Sequence, residues 1–153
     1  MGAKFGPTTF VFSALLAIIV IAGIAPLSQP RIPMNHMRAA ESSSQLMAAE
    51  SQYATRFPAT GFTCDLRQLA EAGFIDKVLA SGSKAGYQYD LYGCNTSIRA
   101  TGFFFTAVPI SQDKTGKLAF CGNQEGVLWF AKGGSRDECF RTRTTWIRSH
   151  AWR

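Results

Sequence analysis

Cys64, Cys94, Cys121 and Cys139 are the side chains of this sequence with the most chemistry to offer. An even number of cysteines at wide spacing suits two disulfides formed in an oxidising compartment; three pairings are open, and the competing reading is four buried thiols in a reducing one. A thiolate metal site is not expected. The chain has no C-x-x-C pair, and His36 and His150 stand far from the cysteines in sequence.

Catalytic chemistry finds little to work with. A nucleophile drawn from Ser42-Ser43-Ser44 needs a base and an orienting acid, and neither His36 nor Glu41 lies at a triad spacing, so the run reads as one polar face of a helix. Asp65, Asp76, Asp90 and Asp113 are scattered over caps, a strand and a turn rather than paired. The glycines at 122 and 126 lack the lysine and the following helix of a phosphate-binding loop. The sequence therefore predicts no catalytic residue, cofactor, metal or small-molecule substrate. Asn95-Thr96-Ser97 fits the glycosylation pattern, which is short enough to arise by chance.

Binding chemistry concentrates at residues 131–153. Lys132, Arg136, Arg141, Arg143, Arg148 and Arg153 face only Asp137 and Glu138 there, so this basic tail holds about four of the +6 net charges of the whole chain. Trp146 and Trp152 are interleaved with them. Arginines can track phosphates while tryptophans stack on bases, which makes Arg136, Arg141, Arg143, Arg148 and Arg153 candidate contacts for an anionic partner such as DNA, lipid or a cell surface. The alternatives are an exposed, solvated end or arginines packed on the protein's own aromatic sheet.

The elements that must position these residues divide the chain. Composition alone, 46% apolar and 17% charged over 153 residues, conceals a strong asymmetry. Residues 10–27, FVFSALLAIIVIAGIAPL, run for about eighteen positions without a charge and would span about 27 Å as a helix, close to the hydrocarbon thickness of a bilayer. Residues 1–9 form a short leader with Lys4 its only charged side chain, so 1–27 has the layout of a secretory signal or a retained anchor. Gly23 and Ala25 offer small residues for cleavage, but Pro26 would then open the mature chain, which favours the anchor. The flanking charges do not fix the orientation, and the cysteines point to an exported C-terminal side.

Residues 28–63 read as a membrane-exit segment, broken by Pro30 and Pro33, followed by a helix from about 34 to 57 on which Leu46, Glu50, Tyr53 and Phe57 share a face. Core packing is the expectation for that stripe. Residues 64–130 read as an α+β head. Asp65 and Gln68 suggest a capping box, a second helical turn covers 74–79, and period-two strands follow at 87–92, 102–110, 118–121 and 127–130. The predicted fold class is α+β: a long N-terminal helix whose first half spans the membrane, then a small antiparallel meander.

That order of parts resembles the type IV pilin-like family, which includes pilus subunits and the pseudopilins of type II secretion. Arg31-Ile32-Pro33-Met34 resembles the I-P-N-L step at the family's membrane exit. FIDKVLASGSKAGYQYDL (74–91) is similar to the helix-to-strand passage of a group of bacterial pilin-like proteins, and FFFTAVPISQDKTGKLAFCGNQEGVLW (103–129) resembles that group's closing hairpin. The resemblance runs over about two thirds of the chain and stops short of the leader, where Gly6, the position matching leader cleavage, is followed by Pro7 and no acidic residue precedes Glu41. In the family a glutamate near the mature N-terminus pairs with a neighbouring subunit. The resemblance implies a single-pass protein of the cytoplasmic membrane with an extracytoplasmic head, a non-catalytic structural or minor subunit of a filament or pseudopilus that contacts other pilin-like subunits through its N-terminal helix. The reading from a different class is a membrane-anchored binding module whose arginine-rich end meets an anionic partner. Within the basic tail, Cys139 suggests a tether to Cys121 across the shorter loop, which would leave Cys64 with Cys94.

Overall fold

The computed structural model describes residues 31–94 and 99–146. The leader 1–9 with Gly6, the apolar stretch 10–27, Asn95-Thr96-Ser97, Arg148, His150, Trp152 and Arg153 lie outside the described residues. Among the described residues no helix is long and apolar enough to cross a membrane.

Helix α1, Arg31–Arg56, is the longest element among the described residues. Pro33 is tolerated because it sits in the first turn, where backbone N–H groups have no helical partner, and after it the helix contains neither proline nor glycine. The helix ends just before Phe57 and Pro58, since a residue ahead of proline is pushed out of the helical region. Ala39, Ala40, Ser42, Ser43, Leu46, Met47, Ala49, Glu50 and Tyr53 form its buried face. Small side chains dominate that face, which lets α1 lie close against the rings of the sheet. Phe57, expected on the same stripe, falls past the helix end and is exposed.

Two short helices lead to the sheet. α2, Leu66–Glu71, is capped by Asp65, whose Oδ1 accepts the Arg67 N–H at 2.8 Å. The reciprocal half of the capping box does not form. Gln68 Oε1 instead accepts hydrogen bonds from Thr63 Oγ1 at 2.9 Å and Tyr53 Oη at 3.2 Å, because those hydroxyls compete for it at the partly buried junction with α1. α3, Lys77–Ala80, starts three residues later than the sequence suggests, since Asp76 caps it by accepting the Leu79 N–H at 2.8 Å.

Six strands follow: β1 Ser83–Lys84, β2 Tyr87–Tyr92, β3 Phe104–Pro109, β4 Leu118–Asn123, β5 Trp129–Lys132 and β6 Thr144–Thr145. They form one antiparallel sheet in chain order, a meander. The β1–β2 turn places Ala85 at φ 53° and Gly86 at φ 79°, the positive pair that suits a two-residue hairpin. Pro109 closes β3, where its missing N–H costs no interior ladder bond. The β4–β5 hairpin differs from expectation. β4 continues to Asn123, whose Oδ1 accepts the Glu125 N–H at 3.0 Å, and β5 begins two residues late because Leu128 turns into the core.

The sheet is covered on both faces. Tyr87, Tyr89, Phe105, Ala107 and Phe120 face α1 and, with Phe103, Leu46, Leu69 and Leu79, make the main core. On the other face Ala119, Cys121, Trp129 and Ala131 pack with Cys139 from α4, Arg136–Thr142. The segment set apart as a basic tail is therefore part of the fold through Trp146: it supplies the end of β5, all of α4 and the edge strand β6. The boundaries drawn at 63/64 and 130/131 are likewise crossed by packing, since α1 and β5 share cores with the strands between them.

Candidate functional site

The four cysteines form two disulfides, Cys64–Cys94 and Cys121–Cys139. Cys64–Cys94 joins the loop ahead of α2 to the end of β2, and the Cys94 N–H points at Cys64 Sγ at 3.0 Å. Cys121–Cys139 pins α4 to β4 on the face away from α1. Both half-cystines of the second bridge are fully buried, so it acts as a staple for a small second core rather than as an accessible redox pair.

The described arginines of the candidate anion site are each engaged locally. Arg136 lies over the Tyr92 ring at 5.0 Å and approaches Asp90 at 3.7 Å; Arg143 lies over Trp129 at 5.2 Å and donates from Nε to the Phe140 carbonyl at 3.3 Å; Arg141 pairs with Glu138 at 3.3 Å. They follow the turn of α4 and its C-terminal cap rather than lining one groove. Tyr92, Phe104 and Phe140 make an aromatic cluster beside Arg136, with ring centroids 5.6 to 6.2 Å apart. Trp146 is not a free stacking platform, because its ring meets Phe120 at 5.0 Å and Phe130 at 5.5 Å, edge-on in both cases.

The side chains weighed for catalysis do not converge. His36 accepts the Lys117 N–H through Nε2 at 2.9 Å, and partial burial followed by the nearby Lys117 charge lowers its pKa. Ser42 and Ser43 are buried against the sheet, while Ser44 Oγ donates to the Ala40 carbonyl at 3.0 Å. Among the described residues no three His, Cys, Asp or Glu side chains are grouped to hold a metal ion.

An open groove of about 1040 Å³ runs between α1 and the β4–β5 end of the sheet, walled by Met37, Ala40 and Met47 on one side and Val127, Leu128 and Trp146 on the other. Glu41 lies on its rim and is exposed. The sequence did not single this groove out, because its walls come from segments about eighty or more residues apart and each wall alone is an ordinary amphipathic face.

Glu50 is the other feature missed. The sequence places it on a shared face with Leu46 and Tyr53 but does not distinguish it from an ordinary helix former. In the fold it is fully buried, with Oε2 accepting the Thr63 N–H at 2.9 Å and Oε1 without a hydrogen-bond partner. Burial, only partly opposed by that hydrogen bond, pushes its carboxyl up to about 7. The available signal was its position i+4 from Leu46 and i−3 from Tyr53 on the core-facing stripe. Tyr89, equally deep, is pushed up to about 12 by burial.

No family model matches this chain, and no curated protein or solved structure matches it either.

Proposed function

We propose that this chain is a non-catalytic structural or minor subunit of a pilin-like filament or secretion pseudopilus. Residues 10–27 anchor it in the cytoplasmic membrane and the α+β head stands on the extracytoplasmic side. The observation that carries the reading is α1 itself: a 26-residue helix that follows the apolar stretch in sequence, buries only one stripe against an antiparallel meander, and keeps its first turn largely outside the core. Such a helix can join a head to a bundle of apolar N-terminal helices. Two disulfides stapling a head of modest size suit an oxidising compartment. The motifs at 31–34, 74–91 and 103–129 support the same family.

The reading in which a basic tail contacts DNA, lipid or another anionic surface has less support, since Arg136, Arg141 and Arg143 already lie on rings or beside carboxylates and carbonyls of this chain. The test is photo-cross-linking from residues placed within 10–27 in cells that make the protein natively, with a topology reporter fused after residue 153. Adducts with other pilin-like subunits and an exported reporter are the expected result. A solitary membrane-bound monomer would favour the anchored binding module, and a cytoplasmic reporter would overturn both.

A further inference from the structure

We propose that the protonated side chain of Glu50 latches the C-terminal half of α1 to the loop 57–65, and that ionisation of this carboxyl loosens the junction. Glu50 has no exposed surface, and its only polar partner among the described residues is the Thr63 backbone N–H. Thr63 is the hub of the junction. Its Oγ1 donates to Gln68 Oε1 at 2.9 Å and accepts the Asp65 N–H at 3.2 Å, Tyr53 Oη shares the same Gln68 oxygen, and the next residue, Cys64, carries the disulfide to Cys94.

Among the described residues nothing compensates a charge on Glu50. The titratable groups of the surrounding elements are Arg38, Glu41, Tyr53 and Arg56 on α1, Tyr87, Tyr89, Asp90 and Tyr92 on β2, and Asp65, Arg67 and Glu71 at α2, and none of them moves the Glu50 pKa, which burial raises and the Thr63 hydrogen bond lowers. Asp65 and Arg67 pair with each other at 3.4 Å, and no lysine, arginine or histidine among the described residues forms an ion pair with Glu50. One hydrogen bond from an amide leaves the second carboxylate oxygen unsolvated, so the charged form is held in an apolar site without a counter-ion. The Thr63 amide bonds the carboxylate more strongly than the neutral acid, but burial outweighs that preference, so the neutral acid keeps a weaker Thr63 bond and sheds most of the penalty.

The sign follows directly. A carboxyl that binds its proton more tightly in the fold than in the unfolded chain leaves stability intact in acid and withdraws it as pH rises from about 4.5 toward 7. The experiment uses the full-length oxidised protein in neutral detergent micelles. The Glu50 carboxyl is followed by carbon-13 NMR from pH 3 to 9, Thr63 amide exchange is measured at pH 5 and 8 after correction for the intrinsic rate, and urea unfolding is compared for wild type and Glu50→Gln. The expected result is a carboxyl midpoint near 7, faster Thr63 exchange at pH 8 in wild type only, and a wild-type unfolding constant that rises between pH 5 and 8 by on the order of 100-fold relative to the Gln variant. A midpoint in the ordinary glutamate range, Thr63 exchange independent of the titration, or equal pH dependence in both proteins overturns the latch. If Glu50→Gln does not fold, the wild-type titration and Thr63 exchange decide alone.

Discussion

The Nε2 of His36 accepts the backbone N–H of Lys117 at 2.9 Å across 81 positions of sequence, and the adjacent Asn35 Nδ2 donates to the Thr115 carbonyl at 2.8 Å. These two side chains tie the first turns of α1 to the loop between β3 and β4. The accepting nitrogen must be unprotonated, which agrees in direction with the lowered pKa of His36.

From this contact comes a pH dependence opposite to that of Glu50. Because the fold favours neutral His36, its contribution is fully present above the unfolded value of 6.5 and is lost as pH falls through the lower folded value. Over this range the larger Glu50 change runs the other way, so the loss is read in a Glu50→Gln background: thermal unfolding there at pH 7.5 and pH 5 should show it, and adding His36→Gln, which keeps an acceptor but cannot titrate, should flatten it. A variant with the same acid slope would assign the loss to other groups.

The disulfide between Cys121 and Cys139, 18 positions apart, closes a loop that runs through the β4–β5 hairpin and β5 into α4. Replacing both cysteines by serine should lower stability by about 3 kcal/mol through the freed unfolded chain, with further loss from polar atoms left in a small core. Denaturant unfolding of the double variant beside the oxidised wild type measures this. Trp129, which packs against Cys121 and Cys139 in the same cluster, should report the loosening by fluorescence.

Gly122 on β4 faces Phe105 of β3 and Met47 of α1. A Cβ there would lie 2.5 Å from Phe105 Cε1 and 3.1 Å from Met47 Sδ. Gly122→Ala should therefore destabilise the head by about 1–3 kcal/mol, and pairing it with Met47→Ala should recover only the part due to the sulfur. A neutral Gly122→Ala in chemical denaturation would show that the Phe105 ring and its neighbours yield to the methyl group without loss.

Ser43 is buried on α1 with its hydroxyl unpartnered. Ser43→Ala should be neutral or stabilise by about 1 kcal/mol, whereas Leu46→Ala one turn along the helix should cost about 2–5 kcal/mol. Urea midpoints of the two variants provide the check. A clear loss on Ser43→Ala would mean that the hydroxyl has a partner such as a buried water.

Much of the fold is legible because it depends on local patterns. Alternation of Tyr87, Tyr89 and Leu91 marks β2, the run from Phe103 to Val108 marks β3, and the absence of glycine and proline after Pro33 marks α1. Asp65 signals its helix because an N-cap needs only its own next few amides, whereas the expected start at 74 passed over the same role for Asp76. Errors arise where a distant group competes for a local one. Gln68 left its capping box for Thr63 and Tyr53, and Leu128 left strand β5 for the core.

The sequence by itself determined the α+β class, the strand alternation and the presence of four oxidisable cysteines, because periodicity and residue type act over a few neighbouring positions. Only the tertiary structure decided that residues 131–146 complete the sheet and cover its second face, that Arg136 and Arg143 lie on the protein's own rings while Arg141 pairs with Glu138, and that Glu50 is sealed away with no counter-ion among the described residues. Charge and burial are properties of surroundings, and here the surroundings of Arg136, Arg143 and Glu50 come largely from segments distant in the chain.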